Sequence, residues 1–274
     1  MANITSLKEA IAQYVPDGAS VALEGFSHLV PFAAGQEIIR QEKRDLTLIR
    51  MSADIIFDQM IGMGCARKLV FSWAGNPGLG LLHRFRDAAE QAWPQPLELE
   101  EYTHAALAAA FVAGASRLPF GIIRDGSPND LQKYTTTMAY LECPFTRESV
   151  IAVRAMKPDV AIIHAQRADE EGNVQLWGIA GIQKEAVLSA KTAIVTVEEI
   201  CKRLEPVPNG IVIPSWVISS VVHAPGGARP SYAHGYYGRD DAFYREWDAI
   251  ARDRVQFTEW MKRNVLECVH ELHA

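Results

Sequence analysis

The sequence predicts an open α/β fold, a mainly parallel sheet with helices on both faces. Short β-rich runs alternate with helical ones up to Tyr102, a strand-dense stretch follows Pro119, and 49% hydrophobic residues over 274 positions can bury a large core. The reading is one domain over residues 1–274, without internal repeats or low-complexity tracts.

Each element follows from its own pattern. "SVALEGF" reads as a strand, and the apolar spacing of "AAGQEIIRQ" reads as a helix. "DLTLIRM" and "KLVFSW" are further strands, separated by a helix around "IIFDQMIGMG". "LLHRFRDAAEQA" is helical and "LELEEY" extended. Strand followed by helix, repeated, describes βαβ units.

After Pro119 the pattern shifts to "SVIAVRA", "DVAIIHAQ", "NVQLWG", "TAIVTVEEI" and "GIVIPSW", with one clear helix at "QKEAVLSAK". "RDGSPNDLQKYTTTM", from Arg124, reads as a long functional loop rather than a linker. Near the end, Phe243, Trp247, Ile250, Phe257 and Trp260 are spaced as one helical face, which either packs on the core or meets another chain.

The formal charge of -6 and a pI near 5.8 argue against a nucleic-acid surface. Cys65, Cys143, Cys201 and Cys268 are widely separated, so neither a disulfide framework nor a metal site is indicated, and a reduced cytoplasm is the default. Apolar stretches fall short of the roughly 20 residues that cross a bilayer.

Three glycine-bearing turns invite chemistry. "DGASVALEGFSHLVP" runs a strand into Gly25 and a loop of Phe26, Ser27 and His28; glycine there lets backbone approach a ligand at the sheet edge where ligands sit, although a plain strand-to-helix turn looks similar. "SWAGNPGLG" places Gly75 and Asn76 after another strand, either to aim N–H groups at an anion or simply to turn. "IIHAQRADEEGNVQLWG" suits a tight turn, with His164 a satisfied core histidine.

"LEEYTHAALAAAFVAGASRLPF" is the most informative segment. Thr103 is a good N-cap, which makes His104 the first helical residue at that same edge. A helix N-terminus disfavours positive charge, so a neutral imidazole that donates one hydrogen bond is expected, as an oxyanion requires. A surface or capping histidine has the same spacing.

Taken in order, "DGASVALEGFSHLVP", "SWAGNPG", "LEEYTH…LPF", "HAQRADEEGNVQLWG" and "APGGARPSYAHGYY" resemble the α subunits of class I coenzyme A transferases of the glutaconate type, nearest the 3-oxoadipate:succinyl-CoA branch. The resemblance covers nearly the whole chain. It implies an enzyme of aromatic-compound degradation whose α and β subunits, expected as α2β2, enclose the active site between them. A β-subunit glutamate attacks the acyl-CoA and passes through a glutamyl-CoA thioester. Coenzyme A is then substrate, and no metal or other cofactor is expected.

His104 stands where many relatives carry an oxyanion-hole glutamine, and relatives that hydrolyse or decarboxylate are expected to show an ionisable acid there. Glu24, where relatives often have glycine, is expected to be a buried, paired carboxylate or an interface contact rather than the nucleophile. For the far carboxylate of a dicarboxylic acid, Arg50, Arg124 and His28 are the candidates. A dinucleotide-dependent oxidoreductase fits the alternation, but the sequence lacks the GxGxxG fingerprint.

Overall fold

The computed structural model describes residues 3–76, 78–124 and 135–267. Strand β1 (Asn3–Ile4) leads into α1 (Leu7–Tyr14), whose start is fixed by a capping box in which Ser6 and Glu9 satisfy each other's backbone N–H groups. Next come β2 (Ser20–Glu24), α2 (Phe32–Arg40), β3 (Leu46–Ala53), α3 (Ile55–Gly62), β4 (Ala66–Ala74), α4 (His83–Gln91), β5 (Glu98–Glu101) and α5 (His104–Ala115). The alternation read from the sequence is the alternation observed.

A three-stranded antiparallel sheet follows: β6 (Phe120–Arg124), β7 (Met138–Glu142) and β8 (Ser149–Arg154), with β8 in the middle. The chain then returns to the main sheet with β9 (Val160–Asp169), β10 (Val174–Leu176), α6 (Gln183–Ser189), β11 (Thr192–Cys201), β12 (Ile211–Ile213) and β13 (Ser220–His223). The main sheet runs β1-β13-β11-β9-β2-β3-β4-β5 with every neighbouring pair parallel, while β10 and β12 form an antiparallel flap off β9.

Two cores cover the two faces. Val21, Leu23, Leu48 and Ile162 pack against α1, α2 and α3, while Ala22, Ile49, Ile163 and Val195 pack against α5 and α6. Side-chain alternation along buried parallel strands produces this split. The segment after Pro119 departs from one sheet because β6 turns back along α5, burying Ile123, Ile151 and Val153 against it.

The C-terminal segment forms two helices, α7 (Asp241–Arg252) and α8 (Arg254–Met261), rather than one. Asp253 breaks them because its extended backbone lets its carboxylate accept the Val255 and Gln256 N–H groups, both at 2.9 Å, as an N-cap. Trp247 and Phe257 are fully buried, with Phe243, Ile250 and Trp260 packed around them. Of the two alternatives, packing on the chain's own core is observed. No helix among the described residues is long and apolar enough to cross a membrane.

Topology decides where a ligand belongs. β2 and β9 are neighbours, yet β2 connects through α2 on one face toward β3, and β9 connects through α6 on the other toward β11. Their carboxyl ends therefore flank the crevice of an open α/β sheet.

Candidate active site

Gly25 ends β2 at that crevice. A Cβ there would stand 2.6 Å from the Leu29 carbonyl oxygen, so only glycine lets the loop fold back on itself. Ser27 and Leu29 both adopt left-handed backbone, at φ 56° and 53°. Such conformations cost about 1–3 kcal/mol each and persist where the surroundings over-determine them.

The surroundings do so here. The Leu29 N–H donates to the Tyr232 carbonyl at 2.9 Å, and the Val30 N–H to Ser231 Oγ at 3.3 Å. His28 is fully buried: Nδ1 donates to the Ile179 carbonyl at 3.0 Å, and Nε2 accepts the His234 N–H at 2.9 Å. These partners fix the neutral tautomer with its proton on Nδ1, and burial holds the imidazole below its ordinary pKa.

His28 therefore ties three loops together and has no nitrogen left for a substrate carboxylate, contrary to its place among the candidates. Gln166 works beside it, donating to the Trp177 and His234 carbonyls at 2.9 and 3.3 Å and accepting the Trp177 N–H at 3.1 Å. Among the described residues, the N–H groups of Phe26 and Ser27 meet no acceptor. Phe26, Ile179 and Tyr236 are exposed beside this loop system.

His104 is the first residue of α5, and Thr103 caps the helix by accepting the Ala106 N–H at 3.1 Å. The ring is exposed, with Nε2 3.4 Å from Ser52 Oγ at the carboxyl end of β3. Ser52 follows Met51, whose N–H donates to Glu24 Oε1 at 3.0 Å. A continuous path of contacts thus joins the Gly25 loop to His104 along one edge of the sheet.

Glu24 is buried, as expected of it, and burial lifts its pKa from 4.5 to about 7, with the Arg50 charge and the Met51 and Gly25 N–H groups opposing. Arg50 is fully buried as well. It gives Asp54 two hydrogen bonds, at 2.8 and 3.2 Å, and donates to the Gly25 carbonyl at 2.7 Å. Its guanidinium therefore supports the loop from beneath and presents no face to a substrate carboxylate, which corrects the expectation for Arg50.

Gly75 and Asn76 are also bound internally. The Gly75 N–H donates to the Ala53 carbonyl at 3.0 Å, and Asn76 is buried with Nδ2 on the Tyr244 carbonyl at 2.7 Å. The turn reading describes them, because these contacts dock the loop on α7 and leave neither group aimed at an anion.

Arg124 stands differently. Gly121 lies against Ala109, where an added Cβ would sit 2.5 Å from the carbonyl oxygen, so β6 runs back along α5 toward its N-terminus. Three strand residues span about 10 Å, and five helical residues from Ala109 to His104 about 7.5 Å. Arg124 thus reaches the level of His104, and it is exposed there. Most of the loop beginning at Arg124 lies outside the described residues.

A crevice edge with a helix-start histidine, free backbone donors and a strained, heavily braced loop is suited to receiving a carbonyl that develops negative charge. Comparison with known proteins agrees. Residues 4–224 match the coenzyme A transferase family. The chain belongs to that family. A 3-oxoadipate CoA-transferase subunit from Pseudomonas knackmussii is 56% identical over 261 residues, covering 95% of this chain and 93% of the relative.

The crystal structure of glutaconate coenzyme A-transferase from Acidaminococcus fermentans superposes with a TM-score of 0.86 at 32% identity, covering 97% of this chain and 89% of the solved one. A structure of the decarboxylase AibA/AibB follows at 0.81 and 29%, covering 96% and 99%. The 3-oxoadipate and glutaconate transferase relatives each bear the name of one subunit within a larger enzyme, so this coenzyme A transferase chain has a partner subunit.

Sequence reasoning did not single out Ser52, Gln166, Ser231, Tyr232 or His234 as parts of this edge. A serine at a strand end and a buried glutamine have no distinctive spacing. The 231–234 residues were visible as a motif, and their task, offering backbone partners to a loop two hundred positions earlier, exists only in three dimensions.

Proposed function

We propose that the chain is the α subunit of a transferase that moves coenzyme A from succinyl-CoA to 3-oxoadipate or a similar dicarboxylic acid. The nucleophilic glutamate resides on the β subunit, and the assembly is α2β2. Coenzyme A enters as substrate, with no metal or further cofactor. His104 donates a hydrogen bond to the acyl oxygen as the tetrahedral species forms, with the Phe26 and Ser27 N–H groups at the same edge. The placement of His104 at a capped helix start beside Ser52, on the edge that carries the Gly25 loop, is the observation that supports the reading.

A decarboxylase-like or hydrolase-like use of the same cleft is the second reading, favoured by the likeness to AibA/AibB. The test is co-expression with the β subunit, followed by incubation with succinyl-CoA and a series of dicarboxylates. Formation of 3-oxoadipyl-CoA with release of succinate supports the transferase. Free coenzyme A or carbon dioxide as product, with no new thioester, overturns it.

A further inference from the structure

The end of β2 is gripped from both faces of the sheet. β2 and β3 pair only as far as Ala22 with Ile49, whereas β2 keeps pairing with β9 to Glu24, and β3 with β4 to Ala53. A fork therefore opens between β2 and β3 at the edge that carries the site. Glu24 closes it on the α5 face, because its Oε1 takes the Met51 N–H that the abandoned ladder leaves without a strand partner.

Arg50 closes the same fork on the α3 face. It is held square by two hydrogen bonds to Asp54 and reaches across to the Gly25 carbonyl, with its guanidinium carbon 5.6 Å from the centre of the Phe57 ring. Burying three ionisable groups this close to a strand end is expensive, and a fork that served only packing could be filled by apolar side chains. What the charged filling adds is direction: each hydrogen bond fixes the path of the chain into Phe26 and Ser27.

We infer that Glu24 and Arg50 are positioning residues for acyl transfer, clamping the Gly25 peptide from opposite faces so that the Phe26–Ser27 backbone meets the reacting carbonyl at a fixed distance. The inference rests on the reading that this loop faces the acyl group. Neither side chain touches substrate. Their effect is on geometry, to which transition-state stabilisation is far more sensitive than substrate binding is.

The test uses the complex of this chain with its β subunit, with exchange between succinyl-CoA and 3-oxoadipate measured per folded complex. Glu24→Ala is expected to lower kcat by about tenfold or more while KM stays within about threefold. Glu24→Gln, which keeps an oxygen for the Met51 N–H, is expected to recover most of that loss. Arg50→Lys, which keeps the charge but cannot serve Asp54 and Gly25 together, is expected to lower kcat similarly. Wild-type kcat in Glu24→Ala, or in Arg50→Lys should Glu24→Ala fail to assemble, overturns the inference, and so does a Glu24→Gln loss equal to that of alanine. A wild-type complex without exchange for any acid pair would instead overturn the functional reading.

Discussion

His104 Nε2 lies 3.4 Å from Ser52 Oγ, so the first residue of α5 meets the last turn of β3 across the edge of the sheet. The contact is long for a hydrogen bond, and it orients the ring without consuming it. The nitrogen stays available to an acyl oxygen.

His104→Ala is therefore expected to lower the turnover of the assembled enzyme by about 100-fold or more, the usual scale for an oxyanion donor. His104→Gln, which keeps a neutral donor of similar reach, is expected to restore part of it. Steady-state thioester exchange measures both, and near-normal turnover in the alanine variant removes His104 from the site.

His28 carries a different expectation. Its two nitrogens join the Ile179 carbonyl and the His234 N–H, and its ring centre sits 4.6 Å from that of Tyr232. His28→Ala leaves both partners unsatisfied in a buried place, at about 1–3 kcal/mol each. A lowered denaturant midpoint is the expected result, together with lost turnover, since the loop bearing Phe26 and Ser27 loses its main tie. Unchanged stability would show that the three loops are held by other means.

The contrast between these two histidines shows what a sequence makes legible. His104 was readable because an N-cap threonine and a helical run are local, and local rules fix both the helix start and the edge of the sheet. His28, Arg50 and Asn76 lay in equally suggestive motifs, yet their partners Ile179, Asp54 and Tyr244 are set by tertiary packing. The parallel sheet was legible for the same reason as His104, since hydrophobic periodicity repeats locally. The antiparallel sheet of β6, β7 and β8 was not, because its pairing skips from β6 to β8 across a long intervening segment.

Stability is expected to fall as pH rises through the range below neutrality. Burial lifts Asp58 from 3.8 to about 7, against the Phe85 N–H, the Trp247 indole and the Arg84 charge. Between those values the folded chain holds a proton that the unfolded chain has released, so this stabilisation is lost as pH climbs through that window and stays lost above it. Glu24 acts in the same direction. Denaturant midpoints compared at about pH 5 and about pH 7 check this, and Asp58→Asn should flatten the difference. A wild-type midpoint that is level across the window contradicts it.

Acid selection is expected to fall to Arg124. Of the three cations considered for a far carboxylate, Arg50 is spent on Asp54 and Gly25, and His28 is neutral with both nitrogens used. Arg124 is exposed at the end of β6, at the level of His104, and there a guanidinium can grip a carboxylate with two hydrogen bonds. Losing such charge-assisted bonds costs about 1.5–3 kcal/mol, a KM rise of roughly ten- to a hundredfold. The rise should appear for dicarboxylic acceptors and leave monocarboxylic ones unaffected, because a single carboxylate is consumed at the reacting end. Arg124→Ala assayed with paired mono- and dicarboxylic acids separates the two cases, and an equal change in KM for both would place the selecting cation elsewhere in the assembly.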